Sequence, residues 1–248
     1  MAKNNQFTRL DTLLSYEGGT TNDAVLEQTV RHYAESMAMI EGVIAVVSNL
    51  GDRTSKIYMG SFANVLGLPN YSDENSIWER RILERMSADE FDAKMIAELR
   101  FYHRVKSSAK LTGNSYLMMK LRIRDQHGLP IEVLHRMYYV CNDDRSRVLY
   151  AICVYGPLVT DFNGKAVLVD NNTGRVEELT SATDRNILTP REKQVLALIE
   201  TGLKSADIAH QLHISKHTVS RHRQDILEKL QVRNSVEACR LAKQMSLL

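Results

Sequence analysis

The sequence predicts an α+β protein, with an antiparallel sheet and flanking helices followed by a C-terminal module of four short helices. Three observations carry this reading. Leu117, Met119, Leu121 and Ile123 alternate with Met118, Lys120, Arg122 and Arg124, the period-two pattern of a half-buried antiparallel strand. Two more strand-like runs, at 131–141 and 148–155, follow across short polar turns. From Leu188 onward the pattern changes to short apolar stripes at helical spacing, punctuated by caps and breaks. A chain of 248 residues has room for two domains, and its 25% charged residues are ordinary for a globular protein.

Taken in order, residues 1–21 read as a polar N-terminal arm containing Gly18-Gly19, partly disordered or loosely docked. A domain is expected over 22–158. It opens with a helix in which Val25, Leu26, Val30, Tyr33, Met37 and Ile40 recur at three-, four- and seven-residue spacings, ended by Gly42. That helix either packs on its own domain or forms a dimerisation surface. Val43–Ser48 and Lys56–Met59 read as a strand pair joined by Asn49-Leu50-Gly51-Asp52. Short helices are expected at 61–66 and over Ile77–Met86, which carries the only tryptophan, Trp78. Ser87, followed by Asp89 and Glu90, caps a longer helix to about Lys106 with Phe91, Met95, Leu99 and Tyr102 facing inward. The three strands of the meander then complete the domain. Residues 159–186 form a connector with a strand–turn–strand flavour around Asn171-Asn172-Thr173-Gly174, ending in the linker Thr180–Asn186. This hairpin either extends the sheet or stands as an arm.

The C-terminal module, 187–248, carries the sharpest local signals. Thr189-Pro190-Arg191-Glu192 is a capping box with Pro at the first helical position, leading into Val195, Leu196, Leu198 and Ile199 and ending at Gly202. A second helix runs from about Ser205 to Leu212, with Ile208, Ala209 and Leu212 inward. His213-Ile214-Ser215 allows only a tight turn, so the next helix, capped by Ser215, completes a helix-turn-helix. In that third helix Val219, Ile226 and Leu230 share one side; Ser220, Arg221, Gln224 and Asp225 share the other, where they can reach base edges and phosphates. A fourth helix over about 235–244 is expected to close the core with Val236, Cys239 and Ala242, leaving Ala238, Leu241 and Met245 on a second apolar side.

Charge agrees with this division. From Asn186 onward ten Lys/Arg stand against six Asp/Glu, whereas the rest of the chain is slightly acidic. A basic module behind a near-neutral domain suits an electrostatic footprint on nucleic acid. Cys141, Cys153 and Cys239 show no metal-ligand spacing and fit a reducing cytoplasm. The N-terminus lacks an apolar signal core, and the aliphatic run Val43–Val47 is far too short to span a bilayer. A cytoplasmic protein without a membrane partner is expected.

The register Leu188-Thr189-Pro190-Arg191-Glu192, Val195-Leu196, Gly202, Ile208-Ala209, Leu212, Ile214-Ser215, Thr218-Val219, His222-Arg223, Ile226, Lys229-Leu230 and Val232-Arg233 resembles the LuxR/NarL/GerE type of bacterial DNA-binding domain, over about a quarter of the chain. The resemblance implies base contact through Ser220, Arg221 and Gln224. It implies DNA backbone contact through Ser205, Lys216, Thr218, His222 and Lys229, and dimerisation through the last helix. One departure is Lys204, which stands where a small polar cap is usual; this allows the cap to slip to Ser205 and leaves Lys204 as a phosphate contact. The element order of residues 40–158 resembles a PAS domain. Together these imply a homodimeric transcription regulator on double-stranded, palindromic DNA, with a sensory or dimerisation domain in front and RNA polymerase as a further candidate partner. The alternative is a sigma-factor-like RNA polymerase subunit, which shares the Leu-Thr-Arg-Glu opening but requires an upstream helical promoter-melting domain.

The N-terminal domain is open to three readings: small-molecule binding, protein binding, or dimerisation alone. His135, Met137 and Tyr139 share strand parity and are the candidate lining of a ligand pocket, although an inward histidine is more often a satisfied core residue. No cofactor is indicated. No nucleophile elbow, P-loop, zinc signature or dinucleotide fingerprint is present, so neither catalysis nor a metal is expected.

Overall fold

The computed structural model describes residues 5–18, 24–107, 114–159, 162, 166–180, 187–230, 232, 234–244 and 247–248. Contacts divide them into two units: residues up to Phe101 with those from 114 to Glu178, and Tyr102–Ser107 with those from Leu179 onward. The expected linker at 181–186 lies outside the described residues.

The first unit is built on an eight-stranded antiparallel sheet. Its strands are β1 (Ile44–Asn49), β2 (Thr54–Met59), β3 (Asp73–Glu74), β4 (Ser115–Arg124), β5 (Pro130–Cys141), β6 (Val148–Pro157), β7 (Val167–Asp170) and β8 (Val176–Glu178). Their spatial order is β3-β2-β1-β6-β5-β4-β7-β8. The first hairpin therefore lies beside the last strand of the meander, and β6 sits at the centre. Every residue of β6 from Val148 to Gly156 is buried, so both of its faces are covered. β4 keeps the expected alternation, with Leu117, Leu121 and Ile123 sealed and Arg122 and Arg124 outside. The connector hairpin joins the sheet, Tyr116 pairing with Val169 and Leu117 with Leu168.

Helix α2 (Ala24–Glu41) covers one face of the sheet and ends, as expected, at Gly42 with φ +70°. Its buried stripe is Val30, Ala34, Met37 and Ala38, packed on Ala45, Val47, Ile152 and Val154. Val25, Tyr33 and Ile40, expected on that stripe, point outward instead. The alanines let the helix axis approach the strands, which the bulkier residues would hold off. Helix α3 (Phe62–Val65) is short, as expected. Helix α4 (Arg80–Leu83) is much shorter than the expected Ile77–Met86. The carbonyls of Ser76 and Ile77 accept from the hydroxyls of Ser55 and Ser48, at 2.8 and 3.0 Å, which ties this backbone across to the sheet. Helix α5 (Ala88–Lys106) is capped by the Ser87 hydroxyl and buries Met95, Leu99 and Tyr102.

The N-terminal arm corrects its expectation. Residues Asn5–Leu14 form helix α1, whose Leu10, Leu13 and Leu14 are buried. Phe7 packs on Trp78 at 4.9 Å, and Asp11 accepts from Trp78 Nε1 at 2.7 Å and from Arg53. Full burial of one leucine contributes about 1.5–3 kcal/mol, so this helix is firmly docked.

The second unit carries α6 (Pro190–Glu200), α7 (Ser205–Gln211), α8 (Lys216–Lys229) and α9 (Ser235–Gln244). Leu188, Val195, Leu196, Ile208, Val219, Ile226, Leu230, Ala238, Leu241 and Ala242 form its core. In α9 the expectation holds for Ala242 and fails otherwise: Val236 is 80% exposed and Cys239 half-buried, while Ala238 and Leu241 are inside. Here too the small residues take the close contact. Met245 lies outside the described residues. Among the described residues, no helix is long and apolar enough to cross a membrane.

Candidate nucleic-acid interface

The interface is assembled by two caps and one turn. Thr189 Oγ1 accepts from the backbone N–H of Glu192, and Glu192 Oε2 accepts from the N–H of Thr189 at 2.8 Å, closing the predicted capping box of α6. Ser215 Oγ accepts from the N–H of Thr218 at 3.0 Å, fixing the start of α8. Between α7 and α8 the chain reverses through His213 at φ +53°, and the N–H of Ile214 donates to Ala209 O at 3.0 Å. Arg191 donates to Leu212 O at 2.7 Å and clamps the same turn from α6.

This scaffold orients α8. Val219, Ile226 and Leu230 are buried, which turns Ser220, Arg221 and Gln224 to the exposed side as predicted. Asp225, expected beside them, is half-buried near Glu192 and His222. Ser220 and Gln224 line one wall of a shallow hollow that Ser205 and Asn234 share.

The backbone-contact candidates divide. Lys204 and Lys216 are exposed, and Thr218 is half-buried beside the Ser215 cap. The cap of α7 does not slip: Lys204 is the N-cap, without a side-chain cap bond, and Ser205 is the first helical residue. Ser205 Oγ instead accepts from Arg223 at 3.1 Å. His222 is half-buried with its Nδ1 inside. Lys229 Nζ donates to both Glu192 oxygens, at 2.7 and 2.9 Å, so this lysine is engaged within the fold. Burial would raise the Glu192 carboxyl, but Lys229 and the cap N–H outweigh it and hold it below its ordinary value.

Arg223 was missed by the sequence reading. It donates to Ser205 on α7 and, at 2.9 Å, to Ser235 at the start of α9, so one guanidinium holds three helices in register. The only signal was its place on a half-polar face, which an arginine facing DNA would share.

In the first unit, the pocket candidates His135, Met137 and Tyr139 all face inward and are sealed. The Tyr139 ring stacks on Phe101 at 5.2 Å. His135 is fully buried and contacts Glu98 and Val154 O.

Residues 186–242 match the GerE family, described as bacterial regulatory proteins, luxR family. The C-terminal unit therefore contains a luxR-type helix-turn-helix domain. The nitrate/nitrite response regulator protein NarL of Escherichia coli (strain K12) is 41% identical over 64 residues, 26% of this chain and 30% of NarL. The transcriptional regulatory protein DesR of Bacillus subtilis (strain 168) is 39% identical over 82 residues, 33% of this chain and 39% of DesR. The chain thus spans well under half the length of these relatives. Among solved structures, the phage VqmA–DPO complex covers 91% of this chain and 89% of its own, with 15% identity and a TM-score of 0.34. That score is too low to bear on the luxR-type domain or on the sheet.

Proposed function

We propose that this chain is a sequence-specific, DNA-binding transcription regulator acting as a homodimer under control of a PAS-like N-terminal domain. The observation that carries the reading is the orientation of α8. Its apolar side is locked into the helical core, and Ser220, Arg221 and Gln224 are left exposed on the luxR-type helix-turn-helix. An exposed helix face of that length fits a major groove, where arginine and glutamine pair bidentately with guanine and adenine edges. Lys204 and Lys216, exposed at the starts of α7 and α8, would bind phosphate and make affinity fall with salt. Two copies would place their α8 helices in successive grooves on an imperfect palindrome.

The PAS-like reading of the first unit rests on its element order and on the first hairpin lying beside the final strand. A signal there acts only by favouring the DNA-competent arrangement of the dimer over the incompetent one. The eight-stranded sheet upstream does not supply the helical promoter-melting domain that a sigma-factor reading requires; contact with RNA polymerase remains part of the regulator proposal. Selection of bound sequences from a random duplex library by the full chain tests the reading. A two-fold related consensus with half-sites about one helical turn apart is expected; recovery of no consensus would refute it.

A further inference from the structure

On the sheet face opposite α2, α5 and β6 enclose a set of polar side chains sealed from solvent. Lys94 Nζ lies 2.6 Å from Glu98 Oε1 and 3.3 Å from Glu79 Oε1. The Tyr155 hydroxyl donates to Glu79. His135 Nε2 lies 3.2 Å from Glu98 Oε1, and its Nδ1 3.3 Å from Val154 O. The imidazole stacks on the Tyr155 ring at 4.6 Å. Cys153 completes the set: its sulfur, a Glu98 oxygen and a His135 nitrogen all lie within 4.8 Å of one another.

With a neutral imidazole, two features of this cluster stand unbalanced among the described residues. The first is charge. One ammonium faces two carboxylates, leaving a net negative charge that burial makes costly. The second is hydrogen bonding. A neutral imidazole has one N–H, yet both His135 nitrogens face atoms that only accept. With the proton on Nδ1, bonded to Val154 O, the Nε2 lone pair points at the Glu98 carboxylate.

We propose that Glu98, His135 and Cys153 bind a divalent transition-metal ion of the zinc class. A cation between Nε2, the carboxylate and the sulfur turns the lone-pair conflict into coordination. The Nδ1–H held by a backbone carbonyl is the arrangement that orients a metal-ligating histidine. Cys153 loses its thiol proton to solvent on binding. The ion and the thiolate together then add one positive charge, cancelling the excess. A mixed thiolate, imidazole and carboxylate set favours zinc or a similar borderline ion over magnesium or calcium.

Cobalt is the probe, because a cobalt–thiolate bond gives a charge-transfer band in the near ultraviolet. The full chain, free of any histidine tag, is produced in cobalt-supplemented minimal medium so that the buried site loads as it folds. Replacing Cys141 and Cys239, both half-buried, by serine leaves Cys153 as the only thiol. This variant is expected to hold one cobalt per chain and to show the band. Glu98→Gln in that background is expected to weaken cobalt binding at least about tenfold. Absence of the band from the single-thiol protein overturns the proposal. Cobalt bound without the band also overturns it, by placing the ion elsewhere, such as at Glu192, His222 and Asp225. A proton on His135 would then be what neutralises the cluster. None of these readouts depends on DNA binding.

Discussion

Lys229 Nζ and the two carboxylate oxygens of Glu192 form a bidentate pair that joins the end of α8 to the first turn of α6. Glu192 is 3% exposed and also closes the capping box with Thr189. One carboxylate therefore starts the first helix of the domain and anchors the helix that presents Ser220, Arg221 and Gln224.

Glu192→Ala is expected to destabilise the luxR-type domain by roughly 2 kcal/mol, combining a lost cap with an unpaired partner. Faster amide exchange along α6 and α8 is the readout; unchanged protection would contradict the role.

The same carboxyl sets a pH dependence. Its folded-state value is depressed, so its stabilisation is present above the ordinary carboxylate range and is lost as pH falls through the folded value. Wild-type protection of α6 should therefore decline from about pH 4 downward. Glu192→Gln should remove that component of the decline.

Arg221 and Arg223 stand two residues apart and are expected to behave differently. Arg221→Ala should cost roughly 1–3 kcal/mol of discrimination at one base position. Arg223→Ala, which removes the bonds to Ser205 and Ser235, should weaken binding to every sequence without changing the preference. A changed consensus for Arg223→Ala, or an unchanged one for Arg221→Ala, would reverse these assignments.

Lys216 and Lys229 are separated by salt titration of operator binding. Lys216→Ala should lower the salt slope by about one unit, because its exposed ammonium is available to phosphate. Lys229→Met should leave the slope unchanged and lower stability instead. Equal slope changes would mean that Lys229 leaves Glu192 when DNA binds.

Leu10→Ala should cost roughly 2–5 kcal/mol in the N-terminal unit, since Leu10 is wholly buried. Trp78, which contacts α1 through Phe7 and Asp11, reports the loss by fluorescence during unfolding. An arm that merely rests on the surface would show no change.

Features written in short-range periodicity or capping chemistry were legible: the alternation of β4, the Thr189–Glu192 box, the Ser215 cap and the exposed face of α8. Helix faces were less so. In α2 and α9 the apolar residues ring the helix, and Ala34, Ala38 and Ala238 took the inside because close packing rewards small volume as much as hydrophobicity. Helix α1 was missed because its Leu10, Leu13 and Leu14 stripe is short and its partners lie far along the chain. Lys94 and Glu98 belong to the same class of miss. On α5 they look like a solvated pair four residues apart, and only Glu79 and His135, brought in by other elements, make a buried site of them. The pairing of Lys229 was not legible because local sequence cannot show that a carboxylate 37 residues earlier faces it.

The central strand β6 is packed on both faces at once. Cys153 and Tyr155 look into the charged cluster, whereas Ile152 and Val154 support α2 on the opposite side. Val154 also lends its carbonyl to His135. Neighbouring residues of one strand thus carry the polar cluster on one face and the seat of α2 on the other, so a change of side-chain volume on either face of β6 bears on both.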